Sequence, residues 1–219
     1  MALSKVNFNS LNLTPTASKT VIFNSSNNGL EAGDVGGAMT LITTSTASGA
    51  SNVSFTSGID STYKEYIFKF YDMNPATDDS SFSFQASTNS GSSYGVTATT
   101  TAFVALNYED ASDASVSYSS NQDQAQSTGF INLAHAIGNG SDESGSGTLH
   151  LFDPSNTTFV KHFISRINSY HSGSRSYDNH RAGYFNTTSA IDAIQFDFRK
   201  VSDGSSDTFD GTIKMYGVT

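Results

Sequence analysis

The pentapeptide GSSYG, Gly91 to Gly95, places Ser93 where a G-x-S-x-G hydrolase carries its nucleophile. That serine acts only on a strained strand-to-helix turn, backed by an oxyanion hole and a downstream acid and histidine. Here STNSG precedes it and VTATTTAF follows, so the expectation is a hairpin tip entering a strand. The 5 histidines are His135, His150, His162, His171 and His180. They form no H-E-x-x-H and no closely spaced pair of the kind zinc sites draw on. His171 and His180 share the Tyr-rich stretch SYHSGSRSYDNHRAGY, which would have to fold back on itself to reach one metal; ordinary surface histidines are the expectation. His150 is expected to point outward between Leu149 and Leu151. Acidic residues group at Asp78-Asp79, at Asp142-Glu143 and at Asp203, Asp207 and Asp210, without the spacing of an EF-hand. Solvated turns are the expectation there. No catalytic residue, metal ligand or cofactor is assigned.

The stretch from Asn168 to Tyr184 has a different character. Tyr170, His171, Arg175, Tyr177, His180, Arg181 and Tyr184 lie within it. Tyr and Arg combine apolar area with a directed polar end and favour contact surfaces. It reads as a long loop and as a candidate subunit interface or glycan contact; the alternative is a solvent loop whose aromatics cover a sheet edge. The lack of Trp weakens the sugar version.

These residues must be positioned by strands. The chain has 219 residues, 36% of them hydrophobic and 14% charged. The charged share is well below the usual ~25%, and Ser, Thr, Asn and Gly fill the polar places. With 16 Phe and 10 Tyr, this is a folded chain with a core. A net charge of −9 with 11 Lys and Arg argues against nucleic acid or an anionic membrane as partner. There are no cysteines, the N-terminus has no apolar signal-like run, and no apolar run reaches the roughly 18 residues of a membrane span.

Period-two apolar patterns recur through the chain. Tyr66, Phe68 and Phe70 share one face, as do Phe82 and Phe84, Leu149 and Leu151, Ile194, Phe196 and Phe198, and Ile213 and Met215. FINLAHAI alternates Phe130, Asn132, Ala134 and Ala136 against Ile131, Leu133, His135 and Ile137. Turn clusters such as NPATDDS, NGSDESGSG and SDGSSDTFDG separate them. The pattern predicts an all-β fold, an antiparallel β-sandwich or jelly roll, over 38–219. DSTYKEYIF and TTSAIDAI carry weak helix-start signals only. Residues 1–37 are Asn/Ser/Gly-rich and read as an extended arm or attachment segment with a hinge at Gly33, Gly36 and Gly37; a first edge strand is the alternative. A Gly-Thr-apolar strand occurs twice, SGTLHLF from Ser146 and DGTIKMYGV from Asp210, with no third copy that would mark a repeat array.

Several segments together, VSFTSGIDSTYKEYIFKFYDMNPATDD, STNSGSSY, SGTLHLFDPSNTTFVKHF, GYFNTTSAIDAIQFDF and GTIKMYGV, resemble structural proteins of tailed bacteriophages, most of all marine phages of cyanobacteria and related aquatic bacteria. The similarity runs from Gly36 to Val218, in the same order. The resemblance implies a non-enzymatic virion component made in the host cytoplasm, with a β-sandwich body, other virion proteins as partners, and a homo-oligomer, taken as a homotrimer. Tail fibre or tip, with contact to a host surface glycan, is the leading expectation. A capsid decoration or capsid fibre protein is the alternative.

Overall fold

The computed structural model describes residues 20–23, 26, 29–33 and 38–218. The chain divides into two compact units, Met1–Ala38 and Met39–Thr219. In the first, β1 (Thr20–Phe23) and β2 (Leu30–Gly33) pair antiparallel, with Thr20 opposite Gly33 and Phe23 opposite Leu30. The expected hinge at Gly36 and Gly37, and most of the expected arm, lie outside the described residues.

The second unit holds β3 (Met39–Ala50), β4 (Val53–Phe55), β5 (Glu65–Pro75), β6 (Ser80–Ser87), β7 (Ala98–Tyr108), β8 (Ala114–Tyr118), β9 (Ile131–Ile137), β10 (Gly145–Phe152), β11 (Lys161–His171), β12 (Arg175–Phe185), β13 (Ala193–Lys200), β14 (Ser206–Asp207) and β15 (Phe209–Val218). All pairings are antiparallel. A long layer runs β3-β15-β5-β10-β11-β12-β7-β8. A short layer runs β13-β6-β9, with β4 and β14 beside β13. One bridge, His171 opposite Ile137, joins the layers into a curled sheet. The fold is all-β and sandwich-like, as expected. The weak helix signals at DSTYKEYIF and TTSAIDAI produce no helix.

The period-two apolar faces meet between the layers. Tyr66, Phe68, Phe70, Leu149, Leu151, Phe163, Ile213 and Met215 pack toward Phe82, Phe84, Ile131, Leu133, Ile194, Phe196 and Phe198, all buried. Phe196 is the hub. Its ring lies 5.2 Å from Phe68, 5.2 Å from Phe70 and 6.0 Å from Phe55, each edge to face, and 5.7 Å from Phe82 in a stack. Such pairs contribute about 0.5–1.5 kcal/mol each beyond burial.

The twice-written strand has a structural cause. Its copies are β10 and β15, the two neighbours of β5. Leu149 and Met215 both sit opposite Phe68, one from each side. In each copy the register slips beside the glycine, between Gly145 and Gly147 and between Asp210 and Thr212. A Cβ on Gly147 would lie 2.2 Å from the Arg166 carbonyl oxygen, and Gly211 has φ +143 with Met73 Sδ 2.7 Å from its Cβ position. The two similar strands thus hold equivalent places, one on each side of β5, each with a bulge beside its glycine.

Three expectations are corrected. GSSYG is not a hairpin tip, because β6 and β7 do not pair; the segment between them crosses from the short layer to the long one. The stretch Asn168–Tyr184 is not a loop but most of the β11–β12 hairpin, paired from Lys161 opposite Phe185 to His171 opposite Arg175. Its polar residues concealed an alternation whose inward partners are themselves polar. In FINLAHAI the alternation breaks: Ile131, Leu133, Ala134 and Ile137 all reach the core. Ala136 takes φ +54, and the β6–β9 register shifts around Phe82. His135 is thereby released from the core face.

Candidate functional site

The hairpin alternation divides the seven candidate contact residues. Tyr170, His180 and Tyr184 lie on its outer face. The His180 ring stacks on Phe103, centroids 4.5 Å apart, and faces Asp178, which also binds Arg166 at 2.7 Å. The Tyr170 hydroxyl donates to Glu109 at 3.1 Å. Tyr184 packs near His162, ring centroids 6.0 Å apart. These three make separate local contacts. His171, Arg175, Tyr177 and Arg181 lie on the inner face and are brought together.

Arg181 is 2% exposed. β9 is the edge of the short layer, and an unpaired edge buried against protein must be satisfied. Arg181 Nε donates to the Asn132 carbonyl at 3.1 Å, and Asn179 Oδ1 accepts from the His135 amide at 3.2 Å. Arg181 also donates to the Phe103 and His180 carbonyls and to the side chain of Gln122. These acceptors are all neutral, and burial pushes the guanidinium down to about 10. Arg181 therefore serves the fold as a side-chain substitute for a missing strand.

Above it lies a cleft with two recesses that share Asn121, Gln122, His135 and Val201. One, about 400 Å³, is lined by Asp79, Tyr118, Ser119, His171, Arg175 and Tyr177 among others. The other, about 460 Å³, includes Ser81, Ser83, Phe130, Arg199 and Lys200. Arg175 lies over the rings of Tyr108 and Tyr177, at 4.9 and 5.4 Å from their centroids. Its Nη1 meets the Tyr108 hydroxyl, and its Nη2 lies 2.8 Å from His171 Nε2. Arg175 Nε is buried and has no hydrogen-bond partner among the described residues. Burial, then the Arg175 and His135 charges, push His171 down to about 4. Burial likewise lowers His135, whose Nδ1 lies 3.1 Å from Ser81 Oγ. Both imidazoles are neutral at pH 7.

Beneath Arg199 sits Asp197, with 2% of its side chain exposed. Oδ2 accepts from Arg199 at 2.6 Å, while Oδ1 has no partner among the described residues. Burial pushes this carboxyl up to about 7, against the opposing pull of Arg199. The Arg199 guanidinium is itself covered by the Phe130 ring at 3.5 Å.

The remaining candidates stay apart. Ser93 Oγ accepts from Asn89 at 2.8 Å, and the recess beside it, lined by Thr88, Tyr94, Gly95, Val96, Thr97, Asn186 and Thr187, holds no histidine or carboxylate. His150 points off the core face as expected and meets Glu65 at 2.6 Å. Among the described residues no group of three or more His, Asp or Glu is placed to hold a metal ion.

Asp79, Asn121, Gln122, His135 and Arg199 were not visible in the sequence as site residues. Asp79 sat in a turn cluster, and His135 required the bulge at Ala136 to leave the core. Asp197 was legible as an off-core strand position, but its burial was not. No family model, curated protein or solved structure matches this chain.

Proposed function

We propose that this chain is a structural protein of a tailed-phage virion that works through contact surfaces, without catalysis of its own. The tail-associated role, fibre or tip, is the leading form: residues 1–37 join it to the particle and the sandwich meets the host surface. One observation carries the contact role. The long layer ends on two strands with an open side, β3 and β8, each paired on one side only among the described residues. β3 spans 12 residues with no charge and no proline, the features by which soluble sheets usually block edge pairing. Val116 and Tyr118 of β8 are exposed beside Phe103. A sheet with open uncharged edges suits assembly with further copies, the homotrimer expected above, or with neighbouring virion proteins.

Immunogold labelling of intact particles with antibody against residues 38–219 tests this. Label on the tail or its fibres supports the leading form. Label spread over the head replaces it with the capsid decoration or capsid fibre form. Particles that bind no antibody, with the protein confined to the lysate, overturn both.

A further inference from the structure

We propose that β3 pairs with β3 of a second copy of this chain, antiparallel about a twofold axis through Ser45, so that two long layers join into one continuous sheet. This goes beyond the virion role proposed above. It names the strand and its partner, and it stands or falls without that role.

β3 is open in more ways than an edge strand has to be. Among the described residues it pairs only with β15. Of its 12 residues only Ala47 is buried, while Ile42 and Ala50 pack partly against the core. Leu41 is 50% exposed and Met39 38%. Ordering a strand costs backbone entropy, and a strand recovers most of that cost by packing one face. β3 packs neither face over most of its length. A strand on its free side supplies what is missing: acceptors and donors for the N–H and C=O groups of that edge, and neighbours for its exposed side chains.

Charge and length select the occupant. The chain has a net charge of −9, so two copies repel unless they meet where neither is charged. β3 has no charged residue, and the nearest charges in the sheet, Lys214 and Asp210, lie on β15 behind it. With strands about 4.8 Å apart, the two β15 strands flanking a β3–β3 pair stand about 14 Å apart, beyond the Debye length of about 8 Å at physiological salt. Asp210 reaches toward β3 at the Gly49 amide, 2.7 Å away, but a twofold axis at Ser45 puts the two Asp210 side chains at opposite ends of the seam. β8, the other open edge, offers 5 residues, so a β3–β8 contact leaves most of β3 uncovered. A second β3 matches the first along its whole length.

The register follows from the bulges. The β3–β15 pairing slips between Phe209 and Gly211 and between Met215 and Tyr216, which leaves Thr43–Ala47 as the regular stretch of β3. Ser45 is its middle. Thr44 and Thr46 share one face, opposite Lys214 and Thr212 of β15. The twofold axis sets Thr44 of one copy opposite Thr46 of the other, hydroxyl beside hydroxyl, a cross-strand pair that favours association. The row that begins at Lys214 then ends on Thr212 of the other copy, so no charge meets its like.

Sedimentation velocity of the full chain, over a concentration series to about 50 µM, tests the seam. The unaltered chain should reach a dimer, or a hexamer if a threefold contact also forms. The double variant Thr44→Lys, Thr46→Lys sets like charges directly opposite each other and should weaken pairing at least about tenfold, halving the mass. Thr44→Glu, Thr46→Glu should do the same. An equimolar mixture of the two variants should restore the parent mass, because each lysine then meets a glutamate. The glutamate variant faces Lys214 with the opposite charge in its own chain, so it reports even if the lysines loosen β3. A monomer or a trimer of the unaltered chain at 50 µM, about sixfold above a Kd of 8 µM, overturns the proposal. So does parent mass in either variant. A mixture that keeps the halved mass places the contact elsewhere and overturns it too.

Discussion

Asp197→Asn should reverse the order of stability between acid and alkaline pH. The carboxyl stands at 3.8 in an unfolded chain and is pushed up to about 7 by burial in the folded one. Between those values the unfolded chain has released a proton that the folded chain keeps. Stability therefore falls as pH rises through this window, by about 1.4 kcal/mol per pH unit. The full shift amounts to about 4 kcal/mol by pH 8. Asparagine removes that term. It also leaves an amide N–H where Oδ1 now has no partner, which costs about 1–2 kcal/mol at every pH. At pH 4.5 the parent has already lost about 1 kcal/mol of this contribution, so the variant should be less stable by at most about 1 kcal/mol there and more stable by about 2–3 kcal/mol at pH 8. His135 and His171, whose lowered values act in the opposite sense below pH 6.5, are common to both proteins and cancel in the difference. Urea unfolding of both proteins from pH 4.5 to 8, by tyrosine fluorescence, measures it. Parallel pH profiles, or a variant less stable at every pH, would refute the account of Asp197 as a buried carboxyl poised near neutrality.

Arg181→Ala should cost about 3–5 kcal/mol in urea unfolding, because the Asn132 carbonyl and the Gln122 side chain lose the guanidinium that satisfies them; a loss under about 1 kcal/mol would show that β9 needs no edge partner. Phe196→Ala should cost about 3–5 kcal/mol, having removed the ring on which Phe68, Phe70 and Phe82 converge, and should show up as a lower denaturation midpoint. Gly211→Ala should lower the thermal midpoint measurably, through both its φ of +143 and the Met73 sulfur, whereas Gly204→Ala, with open space around it, should be strained only by its φ of +72 and lose less. Ser93→Ala should change stability by less than about 0.5 kcal/mol, and esterase assays should find the same rate for both proteins.

Much of the fold is legible because a strand's side chains alternate with period two. Tyr66, Phe68 and Phe70, and Ile194, Phe196 and Phe198, show their core face without any tertiary knowledge, and the structure buries them together. The same rule failed at Asn168–Tyr184. There the inward positions are Ser169, His171, Arg175, Tyr177, Asn179 and Arg181, and polar residues facing inward carry no hydrophobic signal. They face inward because they cover the open edge of β9 and line a cleft, and that edge exists only once the short layer has formed. Likewise Ser81, Ser83 and Asp197 alternate with the core phenylalanines, a pattern that carries no sign of burial, yet they are buried on the outer face of the short layer.

The sequence alone determined the all-β class, the apolar faces of the core strands and the glycines at which two similar strands begin, since these depend on local periodicity and backbone freedom. Only the tertiary structure decided that both of those strands flank β5, that the contact-rich stretch is a hairpin split between two faces, and that Arg175, His171, His135 and Asp79 share one cleft. Those outcomes depend on which strand edges meet across the layers. Backbone hydrogen bonds pair any strand with any other in register, so partner choice is settled by the whole packed core rather than by any segment.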